Sequence, residues 1–320
     1  MDYSPKDAKA AAREAFEGVW AAVTSPFTPD GRLDEVALRS NVRHLVDVLE
    51  IDGIFCTGAM GEFWALTREE KTRSMDIVID EARGGCLVIA HTGDHSADET
   101  IRLTRHAQDA GADFAIMLTP YYPACTDDGI FAWFQYVCSQ VDIGVWMFDG
   151  PIGNYRMAPV LADRISDLDN ICGMKQAWPI EEHDAYHALL DDKIVVSQPL
   201  EKNWLRLLRD YGQQVHMSSP APYLFQTAGS LTMKAYTDLA RHGRWDEAEQ
   251  VSQSLAPVRK VAEKWLSEIP REKGTVPIPY IKVWSGLLGM ASGPVRAPLV
   301  DVSADEERDL RDDLAAVGLL

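Results

Sequence analysis

The sequence predicts an α/β protein of the (β/α)8 barrel class, with a C-terminal three-helix appendage. Three observations carry this. Short apolar runs alternate with stretches of helical periodicity. The pair repeats eight times, about every 30 residues, as βαβ units do. The apolar runs are continuous rather than alternating, which suits a parallel sheet covered on both faces. A chain of 320 residues has room for one such barrel and an extension.

In order, residues 1–17 form a helical or frayed extension rich in Ala and charge. The first strand is Gly18 to Thr24, closed by Ser25-Pro26-Phe27, and residues 33–49 have helical spacing. The second strand, 53–57, runs into Gly58-Ala59-Met60-Gly61-Glu62. Thr67-Arg68-Glu69-Glu70 is a capping-box start for a helix to about residue 82. Strands follow at 86–90, 113–118, 143–148, 171–175, 194–197 and 214–218. Helices follow at 97–110, 129–140, 158–168, 180–190, 200–211 and 222–242. Beyond them lie three helical patterns, 245–266, 279–290 and 304–317. The expected organisation is an extension over 1–17, a barrel over 18–243 and a helical domain over 244–320.

Composition narrows the partners. The formal net charge is −18, with no basic cluster, so the chain should repel nucleic acid and anionic membrane. No apolar run approaches the roughly 20 residues that span a bilayer. The N-terminus is charged and shows no signal sequence. Cys56, Cys86, Cys125, Cys138 and Cys172 form no CxxC pair and no metal-ligand spacing. They read as reduced thiols of a cytoplasmic protein, and no metal or other cofactor is expected.

In this fold, chemistry gathers at the C-terminal ends of the strands. Lys175 closes the sixth strand there, without a metal-ligand cluster beside it. An amine in an apolar enclosure has a lowered pKa and can attack a ketone to form a Schiff base. Position alone leaves that reading level with a strand-end lysine that only makes a salt bridge. The two glycines of Gly58 to Glu62 can turn successive backbone N–H groups toward an anion, or can simply make a βα turn.

Together these residues resemble the dihydrodipicolinate synthase / N-acetylneuraminate lyase family of class I aldolases and dehydratases. The resemblance runs from Gly18 to about Leu299. It rests on Thr24-Ser25-Pro26-Phe27, the GxxGE of Gly58 to Glu62, Thr67 to Lys71, Thr119-Pro120-Tyr121-Tyr122, Gly173-Met174-Lys175 and Val295 to Leu299. It implies a TIM barrel, a Schiff-base lysine at Lys175, a 2-oxo acid substrate (usually pyruvate), an aldehyde partner, and a homo-oligomer, dimer or tetramer. It also implies that the backbone of Ala59 and Met60 holds the substrate carboxylate, and that Tyr122 reaches a neighbouring subunit's site. Phe148 and Ser218 are expected to line the substrate.

The chain departs from the family pattern in three places. Ala59 and Met60 replace two hydroxyl residues. Phe148 stands where the general acid/base tyrosine belongs, so the usual Tyr-Asn-x-Pro reads Phe148-Asp149-Gly150-Pro151. No arginine follows at Gly153-Asn154, and Arg156 lies further on. Tyr122, His91 and Asp149 are the candidates for proton transfer. Because strand residues alternate, the outer layer is the alternative position for Asp149.

These losses argue against the lysine-biosynthetic synthase. Phe63, Trp64, Trp146, Trp178 and Trp204, taken as lining the mouth, argue for a bulky or aromatic aldehyde partner in a pyruvate-releasing or pyruvate-condensing lyase. The alternatives are a dehydratase of a 2-oxo-3-deoxy sugar acid and a catalytically impaired barrel that binds a 2-oxo acid.

Overall fold

The computed structural model describes residues 3–123, 125–150 and 155–320. Eight parallel strands lie in the order β7-β6-β5-β4-β3-β2-β1-β8. They are β1 Gly18–Ala22, β2 Gly53–Cys56, β3 Leu87–His91, β4 Phe114–Leu118, β5 Val145–Asp149, β6 Ile171–Gln176, β7 Val195–Ser197 and β8 Val215–Ser219. Seven backbone ladders link them. Between β7 and β8 a side chain takes over: the Ser197 hydroxyl donates to Val215 O (2.9 Å) and accepts from Met217 N (3.0 Å). Gln213 bridges the same seam to Val215 O and Gln198 O. The eight strands therefore form a nearly closed barrel.

The helices between the strands are α2 Glu35–Arg43, α3 Arg68–Ala82, α4 Ala97–Ala110, α5 Asp127–Cys138, α6 Pro159–Ser166, α7 His183–Leu190 and α8 Trp204–Tyr211, after an initial α1 Ala8–Ala15. The Thr67/Glu70 capping box forms as the sequence predicts. Past β8 the predicted single helix over 222–242 is two pieces, α9 Ala221–Leu224 and α10 Thr232–Arg241, separated by a Thr227–Ser230 turn. The helical pattern over 245–266 also divides, into α11 Trp245–Gln253 and α12 Ala256–Glu263, because Pro257 is a first-turn residue and starts a new helix. Then come α13 Ile269–Lys273, α14 Ile278–Leu287 and α15 Ala304–Ala316.

Residues 3–16 are packed rather than frayed. Phe16 lies within 4.3–4.7 Å, centroid to centroid, of the rings of Trp20, Phe114 and Trp146. The Tyr3 hydroxyl donates to Asp113 O (2.6 Å) and accepts from Gly144 N (2.9 Å). The segment thus closes the end of the barrel opposite the expected site, covering apolar side chains that point into the lumen. Two of these are tryptophans laid flat across a neighbouring glycine. A Cβ on Gly53 would come within 2.2 Å of the Trp20 ring, and one on Gly173 within 2.0 Å of Trp146.

All five cysteines are free, with Cys56, Cys138 and Cys172 buried. Among the described residues, no helix is long and apolar enough to cross a membrane.

Candidate active site

Lys175 lies one residue before the end of β6, paired with Phe148 on β5 and Ser197 on β7. Its side chain points into the lumen and is buried. Nζ donates to Ser218 O at 2.8 Å and sits 4.8 Å from the ring centroids of both Phe55 and Phe148. Two aromatic faces favour the ammonium. Burial disfavours it more, and takes the amine down to about 7. At neutral pH a large fraction of Lys175 is therefore a free amine, ready to act as a nucleophile, with a carbonyl to fix its direction.

Phe55 connects this amine to the turn after β2. A Cβ on Gly58 would meet the Phe55 ring at 2.5 Å, so glycine there lets the turn lie against it. Within the turn, Glu62 N donates to Ala59 O and Phe63 N to Gly58 O. Neither Ala59 N nor Met60 N donates to another group among the described residues. Thr57 and Glu62 take left-handed φ values of 54° and 51°. A turn with uncommitted N–H groups, close to a nucleophilic amine, can accept a carboxylate.

Glu62 itself faces away from this chemistry. It is fully buried and accepts from Lys282 Nζ (2.7 Å) and Arg296 N (3.0 Å). Arg296 in turn holds Glu70 through both terminal nitrogens and donates to Gly31 O. Lys282 and Arg296 both lie over the Phe27 ring, at 4.4 and 4.1 Å. The GxxGE glutamate, the capping-box glutamate and the Val295 to Leu299 segment are thus one ionic joint between the barrel and the chain that follows it. The reading from sequence missed it. A lone lysine inside the apolar stretch of α14 was the available signal, since such a lysine needs a buried partner.

The other expected site residues divide. Phe148 and Ser218 stand beside the amine, Ser218 through its carbonyl, while the Ser218 hydroxyl is buried and has no hydrogen-bond partner among the described residues. His91 ends β3 on the lumen side, buried, its ring 4.7 Å from that of Phe63. Burial, reinforced by the charge of Lys71, lowers His91 to about 3. The imidazole is thus neutral near pH 7 and offers no imidazolium proton. Tyr122 is 71% exposed and stands clear of its own chain's lysine.

Asp149 as a catalytic group requires correction. Phe148 points into the lumen, so the next residue on the strand points out. Asp149 Oδ2 accepts from Trp178 Nε1 (2.7 Å) and Met157 N (3.2 Å), with Tyr186 OH 3.4 Å away, all behind the strand. Pro151 and Gly153-Asn154, which complete the altered strand-five motif, lie outside the described residues.

The aromatic mouth keeps only part of its expected set: Phe63 stands at the lumen beside His91, with Trp64 against it. Trp146 lies at the closed end of the barrel against Phe16. Trp204 lies in the helical layer, its Nε1 donating to Thr237 Oγ1 on α10 (2.8 Å). Trp178 is tied to Asp149. Only spatial packing separates a tryptophan at the floor from one at the mouth.

The family model of the dihydrodipicolinate synthetase family matches residues 15–317. A 4-hydroxy-tetrahydrodipicolinate synthase from Methanothrix thermoacetophila is 32% identical, over 93% of this chain and 96% of its own length. The enzyme of the same name from Desulforudis audaxviator is 29% identical, over 95% and 99%. Among solved structures, dihydrodipicolinate synthase from Aquifex aeolicus superposes with a TM-score of 0.82 at 26% identity, covering 95% of this chain and 99% of that one. A prophage protein of the same family from E. coli K12, solved in complex with pyruvate, gives 0.83 at 24% identity, over 95% and 99%, and shows the same fold.

These relatives overturn the expectation that the chain is not the lysine-biosynthetic synthase, and with it the bulky-aldehyde reading. That expectation treated the missing relay hydroxyl and the missing arginine as decisive for the reaction. Loss of general acid/base help costs roughly 10²–10⁴-fold in rate. It sets how fast a reaction runs, and does not choose which one.

Proposed function

We propose, because the chain belongs to the dihydrodipicolinate synthetase family, that it is a Schiff-base lyase which condenses pyruvate with an aldehyde in the manner of the 4-hydroxy-tetrahydrodipicolinate synthases. The observation that carries the proposal is the buried amine of Lys175, brought to about 7 at the C-terminal end of a barrel strand. In this reading the N–H groups of Ala59 and Met60 hold the pyruvate carboxylate. Lys175 Nζ attacks the 2-oxo carbon, and the oxygen leaves as water. The iminium draws electrons from C3, a proton is lost there, and the resulting enamine adds to the aldehyde carbonyl. Hydrolysis then returns the amine. Phe148 contributes shape and no proton, so water and the substrates' own groups carry the proton transfers. The exposed Tyr122 supports a homo-oligomer in which a second copy covers this surface.

The test is direct. Incubation with pyruvate followed by borohydride should add the mass of a reduced pyruvyl adduct, and Lys175→Ala should abolish it. The gene should also restore growth without added lysine to a bacterial strain lacking its own synthase. No adduct in a folded sample would remove the Schiff-base mechanism. An adduct without complementation would remove the synthase assignment.

A further inference from the structure

Three segments meet behind the catalytic strand at one side chain. Asp149 Oδ2 accepts Met157 N from the chain leading into α6, Trp178 Nε1 from the connection after β6, and approaches Tyr186 OH on α7. Trp178 is three residues beyond Lys175. Its indole ring carries the Arg156 guanidinium 5.1 Å from the centroid, and Arg156 is ion-paired with Glu182 just before α7. Two of the connections that rim the barrel mouth thus depend on a single oxygen.

Asp149 Oδ1 is buried and, among the described residues, has no hydrogen-bond partner. The single proton of Tyr186 goes to Met157 O at 2.5 Å, so this tyrosine meets Oδ2 at 3.4 Å without a proton to give. An asparagine, which the family pattern has here, is nearly the same shape and would bury no charge. A carboxylate instead gives charge-assisted bonds to the indole and to the Met157 amide, roughly twice as strong as neutral ones.

We propose that Asp149 is a positioning residue, whose ionised carboxylate clamps the Met157 and Trp178 connections beside the catalytic lysine and releases them on protonation. This rests on the assignment of the active site to Lys175. The charged and titratable groups facing Asp149 are Arg156, which favours the anion, and Tyr155 and Tyr186, both raised by burial and so neutral. Burial outweighs Arg156 and the polar groups around Oδ2, and brings Asp149 up to about 6. The clamp therefore holds above that pH and slackens below it.

Hydrogen exchange of the full chain at pH 5 and pH 7.5, corrected for intrinsic rates, tests the clamp without requiring activity. Backbone amides of residues 155–158, 177, 178 and 180 should lose about tenfold protection at pH 5 in the wild type. In Asp149→Asn, protection should be the same at both pH values. Trp178→Phe, which removes the indole donor, should lower protection at pH 7.5 while leaving α3 unchanged. Equal pH dependence in the wild type and Asp149→Asn overturns the proposal, as does unchanged protection in Trp178→Phe. Borohydride trapping of pyruvate on the same samples reports separately on Lys175. A pH-dependent clamp without an adduct supports the clamp and removes the site assignment. An adduct with no clamp does the reverse.

Discussion

Lys175 shows how far one residue can be read. A lysine ending an apolar strand was visible in the sequence. Its state was not, because that depends on Phe55, Phe148 and Ser218 arriving from three other strands. With the amine near 7, the rate of pyruvate adduct formation should rise through neutral pH and level off above about pH 8. A flat profile from pH 6 to 9 would show that burial does not activate this lysine. The stability sign follows from the same shift. Below pH 7 both folded and unfolded chains hold the proton, and the fold carries the full burial cost. Between 7 and 10.5 the unfolded chain binds more protons, so stability climbs with pH. Lys175→Met should therefore raise Tm most at pH 6, by an advantage that shrinks toward pH 10. Asp149 illustrates the opposite limit. Its identity was plain, but whether it faced the lumen depended on the phase of strand alternation, which Phe148 settles only once the barrel is closed.

At the scale of elements, local signals were legible where local chemistry sets the structure. The Thr67/Glu70 capping box and the helix over 97–110 formed where the sequence placed them, because caps and periodicity act within a few residues. Helix ends near Pro257 and the Thr227–Ser230 turn were run together, because periodicity continued across them. Gly173 belongs to this scale as well. Beside Lys175 it looked like part of a motif, and the structure gives it a packing role beneath Trp146. Gly173→Ala should cost about 3 kcal/mol, at the upper end of overpacking effects, since the new Cβ meets a rigid ring. Thermal unfolding would show it, and Trp146→Leu in the same chain should recover part of the loss. An unchanged Tm for Gly173→Ala would mean the ring moves freely.

Across the whole molecule, two of the joins between the barrel and its flanking segments show contrasting chemistry. One is the apolar closure by Tyr3 and Phe16. The other is the buried joint of Glu62, Lys282 and Arg296. Glu62→Gln would leave the buried Lys282 ammonium without its counter-charge, though still bonded to Pro294 O, and breaking a buried pair costs about 3–5 kcal/mol. Denaturant unfolding of Glu62→Gln should show that loss, and Glu62→Gln with Lys282→Met should regain much of it. Equal stability of Glu62→Gln and wild type would show that the pair contributes nothing. The sequence by itself determined the eightfold alternation, the lysine at the end of the sixth strand and the family, because each is written in neighbouring residues or in their order along the chain. Tertiary structure alone decided which aromatic side chains fill the floor, which way Asp149 faces, that the GxxGE glutamate is a structural joint, and that a large fraction of the Lys175 amine is unprotonated at neutral pH. Each of these depends on contacts between residues far apart in the chain, where burial and charge are fixed only after the barrel closes.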